Sequence, residues 1–201
     1  MRVGGVGLRK LAPLPLWEGL GEGAFPIPLD RALIENVYDN FLIKRACMPY
    51  STIQNEFNAL FERSWDSFGM LVLELRAENL IPLVTRLKTE LGFTSFLDVT
   101  AVDYPSREPR FDVVYHFYSV QYKKRLRLKV PVTETDPTVA TLTGLFGSAN
   151  FMEREVHEMY GIKFAGNPDL RPILLYEGFV GHPLRKDYPI DREQPLVDYR
   201  K

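Results

Sequence analysis

The stretch KRLRLKVPV, from Lys124 to Val132, alternates between charged and apolar residues. Its apolar residues fall at every second position: Leu126, Leu128, Val130 and Val132. The positions between them include three cations: Arg125, Arg127 and Lys129. Because successive side chains of a strand point to opposite faces of the sheet, this pattern predicts a β-strand with one buried face and one polar face. It is the clearest strand signal in the chain.

Three further runs predict the strands that accompany it. Ser95–Tyr104 and Phe111–Val120 precede it directly, and alternating leucines after Met70 predict the first strand. After that first strand, apolar residues recur at helical spacing and end at Gly92, a residue type that commonly terminates helices in the left-handed conformation. The order strand, helix, three strands, helix predicts an α+β fold. We expect a two-layer sandwich with a mainly antiparallel four-stranded sheet, helices on one face and an extended C-terminal arm.

The chain is predicted to contain three parts. Residues 1–48 form an irregular N-terminal arm and a helix, 49–165 form the α+β domain, and 166–201 form an extended tail that docks on a partner. The helix of the first part is expected over Asp30–Ala46, where apolar residues share one face. Translation from Met48 is an alternative start, and in that case the native protein lacks the first part.

The composition argues against several kinds of site. The chain has 201 residues, 45% of them hydrophobic, and a net charge of −1, so it has no basic field for nucleic acid or anionic lipid. Its single cysteine cannot supply the about four thiolates of an iron–sulfur cluster, and its three histidines lack metal-ligand spacing. No stretch approaches the ~20 apolar residues of a membrane span. We therefore predict no catalytic, cofactor-binding or metal-binding residue in this chain, and contact with a membrane only through a partner.

A charged helix is predicted to start near Asn150, which forms a capping pair with Glu153, and to end at Gly161. On a helical wheel, five apolar residues share one arc: Phe151, Met152, Val156, Met159 and Tyr160. The residues on the opposite side are polar: Glu153, Arg154, His157 and Glu158. Glu155 falls in the middle of the apolar arc.

Glu155 is therefore expected to be buried and paired, or to lie against a partner, because an unpaired buried charge is prohibitive. The predicted pairing partners in the tail are Arg171, Arg185 and Lys186. We interpret such a pair as a strut that ties the tail to the helix. A proton-relay role for Glu155 is the less favoured alternative.

The tail contains a short segment, Gly181–Pro189, that is predicted to be the main docking strip. Gly181 and Pro183 fix a turn in it, and the strip carries both apolar anchors and a charge pattern: His182, Leu184, Arg185, Lys186, Asp187 and Tyr188. Apolar anchors inside a polar rim are how interfaces concentrate their binding energy. The alternative is that the strip folds back on its own sheet.

The run EREVHEMYGIKFAGNPDLRPILLYEGFVGHPLRKDYP, residues 153–189, resembles the signature region of the C-subunit family (30 kDa subunit family) of bacterial NADH–quinone oxidoreductase, respiratory complex I. A weaker resemblance extends back to about Leu71, through DVTAVDYP (98–105) and FDVVYHFYS (111–119). Three positions depart from the family pattern: Asn167 replaces a histidine, Pro172 replaces an arginine and Glu158 replaces an aspartate.

The resemblance implies a core component of the peripheral arm that carries no cofactor. Members of that family pack on the D subunit, next to the B subunit and among other peripheral-arm subunits, on the cytoplasmic side of the bacterial inner membrane. Iron–sulfur clusters, FMN and quinone belong to partner subunits, and the complex couples electron transfer from NADH to quinone with proton translocation. The residues expected to dock partners or support the structure are Glu153, Arg154, Glu155, Asp169, Arg171, His182, Leu184, Arg185, Lys186, Asp187 and Tyr188.

Two other interpretations remain open from sequence. The chain is alternatively the equivalent subunit of a membrane-bound hydrogenase or of a ferredoxin-driven plastoquinone reductase. A more distant alternative is a stand-alone nucleic-acid-binding module that uses Tyr115, Phe117 and Tyr118 as a stacking platform, although the net charge disfavours it.

Overall fold

A computed structural model of the chain describes residues 50–194. The predictions for the N-terminal arm, its helix over 30–46, Cys47, the start at Met48 and residues 195–201 lie outside the described residues. Two 3-10 turns occur at Asn58–Leu60 and Ala77–Asn79. The helices and strands are α1 (Tyr50–Glu56), β1 (Arg63–Ser67), β2 (Met70–Glu74), α2 (Leu80–Thr89), β3 (Ser95–Asp103), β4 (Phe111–Ser119), β5 (Lys124–Val132), β6 (Thr138–Ala140), α3 (Ala149–Tyr160) and β7 (Lys163–Ala165).

The main layer is a five-stranded sheet in the order β1-β2-β5-β4-β3. β2 pairs with β5 in parallel, and the other neighbours pair antiparallel. The α+β class is confirmed, but the predicted four-stranded sheet is wrong, because the sheet is mixed and has a fifth strand. That strand, β1, has the sequence RSWDS and buries none of its residues, so no apolar alternation reveals it. A separate parallel pair joins β6 and β7.

One face of the sheet packs against the helices. Across the strands, Leu73 of β2 lies beside Leu128 of β5, Leu128 beside Tyr115 of β4, and Tyr115 beside Val99 of β3. All four residues are buried in one hydrophobic core. The helices contribute to the same core with Ile53, Leu83, Leu87 and Val156. Full burial of a side chain of this size contributes about 1.5–3 kcal/mol, so the apolar positions of Lys124–Val132 fix the orientation of the strand.

The helices follow the predicted positions closely. α2 buries the leucine-rich face that its spacing predicts, and Gly92 follows it with a φ of +63°. α3 is the longest, with 12 residues. None of the helices described within residues 50–194 is long and apolar enough to cross a lipid bilayer.

The chain after β7 forms turns, with neither helix nor strand through residue 194. It contacts the domain at several points. The amide of Leu184 donates to the carbonyl oxygen of Met159, and the amide of Lys186 donates to the Asp103 carboxylate. The predicted extended arm is therefore not confirmed, because at these points the segment is folded against α3 and the end of β3.

Candidate functional site

Helix α3 begins and ends where the sequence predicts, but the cap at its N-terminus is different. Gly161 adopts a φ of +77°, the left-handed conformation that glycine tolerates best. At the other end Ser148 occupies the N-cap position without a side-chain hydrogen bond. The predicted capping pair is wrong: the Asn150 amide donates to the side chain of Asn167, and Glu153 points into the protein.

The buried face of α3 is not the predicted apolar arc. Its buried residues are Ala149, Glu153, Val156 and Glu158. Phe151 and Glu155 are both exposed. The expectation that Glu155 is buried and paired with a tail cation is therefore wrong for the described part of the chain. The buried carboxylates of this helix are Glu153 and Glu158, which sequence reasoning assigned to the polar face.

Glu153 is fully buried, at 0% exposure, and is held by uncharged donors. Its Oε1 accepts the amide of Leu142 at 2.7 Å. Its Oε2 accepts the hydroxyl of Thr141 at 2.6 Å and the side-chain amide of Asn167 at 2.8 Å. Burial raises the pKa of Glu153, and the three hydrogen bonds act in the opposite direction. The carboxylate thus joins α3 to the residues that follow β6 and to the turn after β7, and Asn167 has a structural role where the family pattern has histidine.

Glu158 accepts hydrogen bonds from three consecutive backbone amides of the tail. They belong to Ile173 at 3.0 Å, Leu174 at 2.8 Å and Leu175 at 3.2 Å. Because these amides all face the carboxylate, the backbone of this loop lies against α3 while the side chains of Ile173 and Leu174 remain exposed. The predicted strut between Glu155 and a tail cation is absent from the described residues. Glu158 ties the helix to the tail instead, through backbone amides.

Arg154 supports the same loop from the preceding helical turn. Its guanidinium donates to the carbonyl oxygens of Arg171 at 2.9 Å and Pro172 at 3.3 Å. Arg171 itself is exposed and pairs bidentately with Asp169, at 2.9 and 2.8 Å. Hydrogen bonds from Arg171 hold the pKa of Asp169 well below its usual value. Arg154, Asp169 and Arg171 therefore shape the loop surface together, as a structural group.

The strip Gly181–Pro189 is attached to the C-terminal end of α3. His182 Nδ1 lies 2.8 Å from the carbonyl oxygen of Glu158, and Arg185 Nε donates to that of Tyr160 at 2.6 Å. Both side chains cross Gly161, where an added Cβ would lie 2.6 Å from His182 Nε2 and 2.7 Å from an Arg185 nitrogen. Position 161 thus requires glycine for its backbone conformation and for this close approach.

A second attachment of the strip centres on Arg110, which sequence reasoning missed. Its guanidinium binds both oxygens of Asp103, at 2.7 and 2.9 Å, and reaches Glu134 at 2.7 Å and Asp187 at 3.0 Å. The amide of Lys186 donates to Asp103 at 2.7 Å. Arg110 holds the pKa values of Asp103 and Asp187 below the usual range. A predicted hairpin between β3 and β4 places Asp103 opposite Phe111, the residue after Arg110, and this proximity was the available signal.

The aromatic residues proposed as a stacking platform do not form one. Tyr115 and Phe117 are buried, with Phe117 packed against Phe96 and Phe146. Tyr118 is half-buried. The nucleic-acid interpretation is therefore wrong in the feature on which it depended.

The Tyr115 hydroxyl is a buried polar atom without a hydrogen-bond partner in the described part of the chain. Burial raises its pKa well above the usual value, and the charge of Glu153 acts in the same direction. No group of three or more histidine, cysteine, aspartate or glutamate side chains among residues 50–194 is arranged to hold a metal ion. The class of protein is therefore an α+β domain whose buried polar groups hold loops in place. Those loops form part of an exposed surface.

Comparison with known proteins gives the family. The model of the respiratory-chain NADH dehydrogenase, 30 Kd subunit, matches residues 73–194. The first of the NADH-quinone oxidoreductase C subunits of Rhizobium meliloti (strain 1021) is 47% identical over 142 residues, which are 70% of this chain and 70% of that protein. The corresponding C subunit of Geotalea uraniireducens (strain Rf4) is 48% identical over 128 residues, 62% of this chain and 78% of that one. The chain belongs to the 30 kDa subunit family of respiratory-chain NADH dehydrogenase, as the resemblance of residues 153–189 predicts.

Solved structures agree with this assignment. A trypsin-resistant fragment of Nqo5 is 31% identical, with a TM-score of 0.51 over 68% of this chain and 98% of the fragment. A chain of an archaeal membrane-bound sulfane sulfur reductase has a TM-score of 0.58, covering 79% of this chain and 86% of that chain. At 23% identity the second similarity shows a shared fold only.

Proposed function

We propose that this chain is a core subunit of the peripheral arm of NADH–quinone oxidoreductase. In this role it supports electron transfer from NADH through iron–sulfur clusters to quinone, coupled to proton translocation. The observation that carries the proposal is the family match over residues 73–194, which runs from β2 through α3 to the end of the described tail. The relatives that match at 47–48% identity are named as the C subunit of this enzyme.

The clusters, FMN and quinone are assigned to partner subunits. The support is the cysteine content, because one thiol cannot ligate a cluster that needs about four. We further propose that homologues of the D and B subunits of complex I are the direct partners, and that the chain reaches the cytoplasmic side of the inner membrane only through the complex. With a net charge of −1, no part in nucleic-acid binding is proposed.

The tail, residues 166–201, is proposed as the docking segment, with Gly181–Pro189 as its main strip. The contacts of the strip support this role and sharpen it. Its backbone and polar groups bind α3 and the group formed by Arg110, Asp103 and Glu134, called the Arg110 cluster. The side chain of Leu184 remains exposed. A segment that is fixed to its own domain loses little conformational entropy on binding, and this preorganisation favours a tight interface. Folding back on the domain and docking on a partner are therefore compatible.

Affinity purification of the tagged chain from membranes tests the proposal. We expect the chain to recover NADH-dependent quinone reduction, FMN and iron–sulfur electron paramagnetic resonance signals, none of which the untagged control yields. Arg185→Ala removes the bond to Tyr160 and should lower the recovered amount, with near-normal activity for each complex that assembles. Recovery of the chain without any redox-active partner would overturn the proposal.

A second candidate is the equivalent subunit of a related complex, such as a membrane-bound hydrogenase or a ferredoxin–plastoquinone reductase. The observation in its favour is the fold shared with a chain of the archaeal sulfane sulfur reductase. The electron donor separates the two functions. A purified complex that accepts electrons from reduced ferredoxin and not from NADH would favour the second candidate.

A further inference from the structure

The outer face of α3 and the loop beside it expose several apolar side chains together. Phe151 on the helix is 59% exposed, and Ile173 and Leu174 on the loop are 38% and 61% exposed. Leu184 of the strip is 48% exposed. Glu155, one helical turn after Phe151, is exposed among them. Exposed apolar side chains that lie together on one surface are typical of an interaction site.

The contacts of α3 show that these residues form one surface. The Arg154 guanidinium lies 5.8 Å from the centre of the Phe151 ring and binds the carbonyl oxygens of residues 171 and 172. One turn later, Glu158 binds the amides of residues 173–175. Residues four apart lie on the same side of a helix, so the loop runs along α3 directly beside the Phe151–Glu155 side. Leu184 lies beside the C-terminal end of α3, where its backbone amide donates to the carbonyl oxygen of Met159.

These five residues, Phe151, Glu155, Ile173, Leu174 and Leu184, are called the α3 patch. Its loop half is held in place before any partner arrives, because Glu158 fixes three consecutive amides and Arg154 fixes two carbonyl oxygens. A loop whose backbone is already ordered loses less entropy on association. The apolar groups are thus presented outward by a polar framework beneath them.

We propose that the α3 patch is the surface through which this chain binds another subunit of its complex, and that this subunit offers an apolar depression with an arginine or lysine opposite Glu155. The inference deepens the proposed function and rests on it. Within residues 50–194, the Glu155 carboxylate has no hydrogen bond and no ion pair. Burial of an unpaired carboxylate at an interface is costly, so a complementary cation is required.

A second copy of this chain fits the patch poorly. A two-fold interface places the same patch on both sides, so each Glu155 would approach a region that also carries Glu155. Two carboxylates in a desolvated contact repel each other. None of the five patch residues is a cation, and the exposed Arg171 on the same loop is already paired with Asp169. Charge complementarity therefore favours a different subunit as the occupant.

Photo-crosslinking within the assembled complex tests the position of the interface. The full-length tagged chain carries a benzophenone amino acid at position 151 or 174, and membranes are irradiated before purification. Phe68, fully exposed at the β1–β2 turn, is the matched control position. We expect positions 151 and 174 to give the same partner subunit as product, and position 68 to give none of that product. Products with a second copy, with residues 1–49 of this chain, or with no subunit at all would overturn the inference.

Charge reversal tests the chemistry of the partner. Glu155→Arg should reduce the amount of chain recovered with the complex on the order of tenfold, because like charges meet at the interface. Reversal of the cross-linked partner's basic residue to glutamate should restore recovery. Glu56→Arg, an exposed change on α1, is the matched control and should leave recovery unchanged. The melting temperature of the isolated chain should stay the same in both variants, which excludes misfolding as the cause.

The two proposals fail in different ways. If the unmodified tagged chain recovers no NADH–quinone oxidoreductase subunits, the proposed function is wrong. If it recovers them, but crosslinks arise at position 68 and not at positions 151 and 174, only the α3 patch is wrong. If Glu155→Arg is recovered with the complex in full, the partner does not place a cation opposite Glu155, and that part of the inference is wrong.

Discussion

The Arg110 cluster and helix α3 both bury charge, and they do so in opposite ways. Arg110 is surrounded by carboxylates, and it binds three of them directly. Glu153 and Glu158 of α3 are buried with neutral donors only: a hydroxyl, an amide side chain and backbone amides. The comparison shows that two attachments of one segment can depend on different physics. At Arg110 a buried cation binds carboxylates, whereas the buried carboxylates of α3 accept hydrogen bonds from neutral dipoles.

Arg110→Ala should produce the largest loss and would break the charged attachment. The buried Asp103 carboxylate would lose its cation, which typically costs about 3 kcal/mol or more in unfolding free energy. Urea unfolding of the purified chain measures this loss. The matched control is Arg76→Ala, which removes the ion-pair partner of Glu62 on the surface and should cost several times less. Equal losses in the two variants would contradict the distinction between buried and exposed pairs.

Gly161→Ala should break the α3 attachment while leaving Arg110 and Asp103 in contact. The new Cβ would clash with His182 and Arg185, and the left-handed backbone adds strain, for a total of about 2 kcal/mol. Trypsin should then cleave faster near Arg185 and Lys186. Gly147→Ala is the matched control, because nothing lies within 4 Å of its added Cβ and its φ is not positive. An unchanged cleavage rate would show that the strip does not depend on this contact.

Glu158→Ala tests the attachment that depends on backbone dipoles. Three amides lose their acceptor, but water can reach this loop, so the expected loss is about 1–2 kcal/mol. Hydrogen exchange at residues 173–175 should accelerate, since these amides become unprotected. Glu155→Ala, three positions away on the same helix, should leave stability within about 0.5 kcal/mol of the unmodified chain. If the two variants behaved alike, the assignment of Glu158 as the anchor would be wrong.

The smallest effect is a difference in pH dependence. The pKa of Asp103 is lowered from 3.8, so its contribution is present above that value and is lost as the pH falls through the folded pKa. The pKa of Glu153 is raised from 4.5, so its contribution is present below that value and is lost as the pH rises through the folded pKa.

Unfolding free energies measured from pH 3 to pH 8 separate the two groups. The stability of Glu153→Gln relative to the unmodified chain should increase as the pH rises above 4.5. The deficit of Arg110→Ala should shrink as the pH falls below 3.8. Parallel curves for all three proteins would mean that neither carboxyl group titrates differently in the folded state.

The sequence predicts those parts of the fold that depend on local periodicity. The alternation of Lys124–Val132, the spacing of α2 and the glycine after α3 all appear in the structure where expected. β1 is different because RSWDS has no apolar period, and its place comes from backbone pairing with β2. Pairing between distant segments leaves no signal in a single window of sequence.

The orientation of α3 shows a second limit. Counting apolar residues predicts that Phe151 is inside and Glu153 outside, and the structure has the reverse. The helix buries this face because both glutamates find donors there. Thr141, Leu142 and Asn167 supply them for Glu153, and the loop at residues 173–175 supplies them for Glu158. Those donors come from three separate segments, so the cost of burying each carboxylate cannot be judged from the helix alone. The resemblance of residues 153–189 identified the region correctly without revealing which glutamates it buries.

The contacts between Arg110 and the strip have a consequence for biosynthesis. Asp187 lies 77 residues beyond Arg110, and Lys186 lies 83 residues beyond Asp103. The ribosome therefore delivers β3 and β4 well before the residues that complete their charged edge. A product that stops before residue 186 retains every strand of the main sheet. It lacks the Lys186 amide that donates to Asp103 and the Asp187 carboxylate that binds Arg110. Such products are less stable than the full-length chain, which gives cellular proteases a physical basis for removing them before assembly.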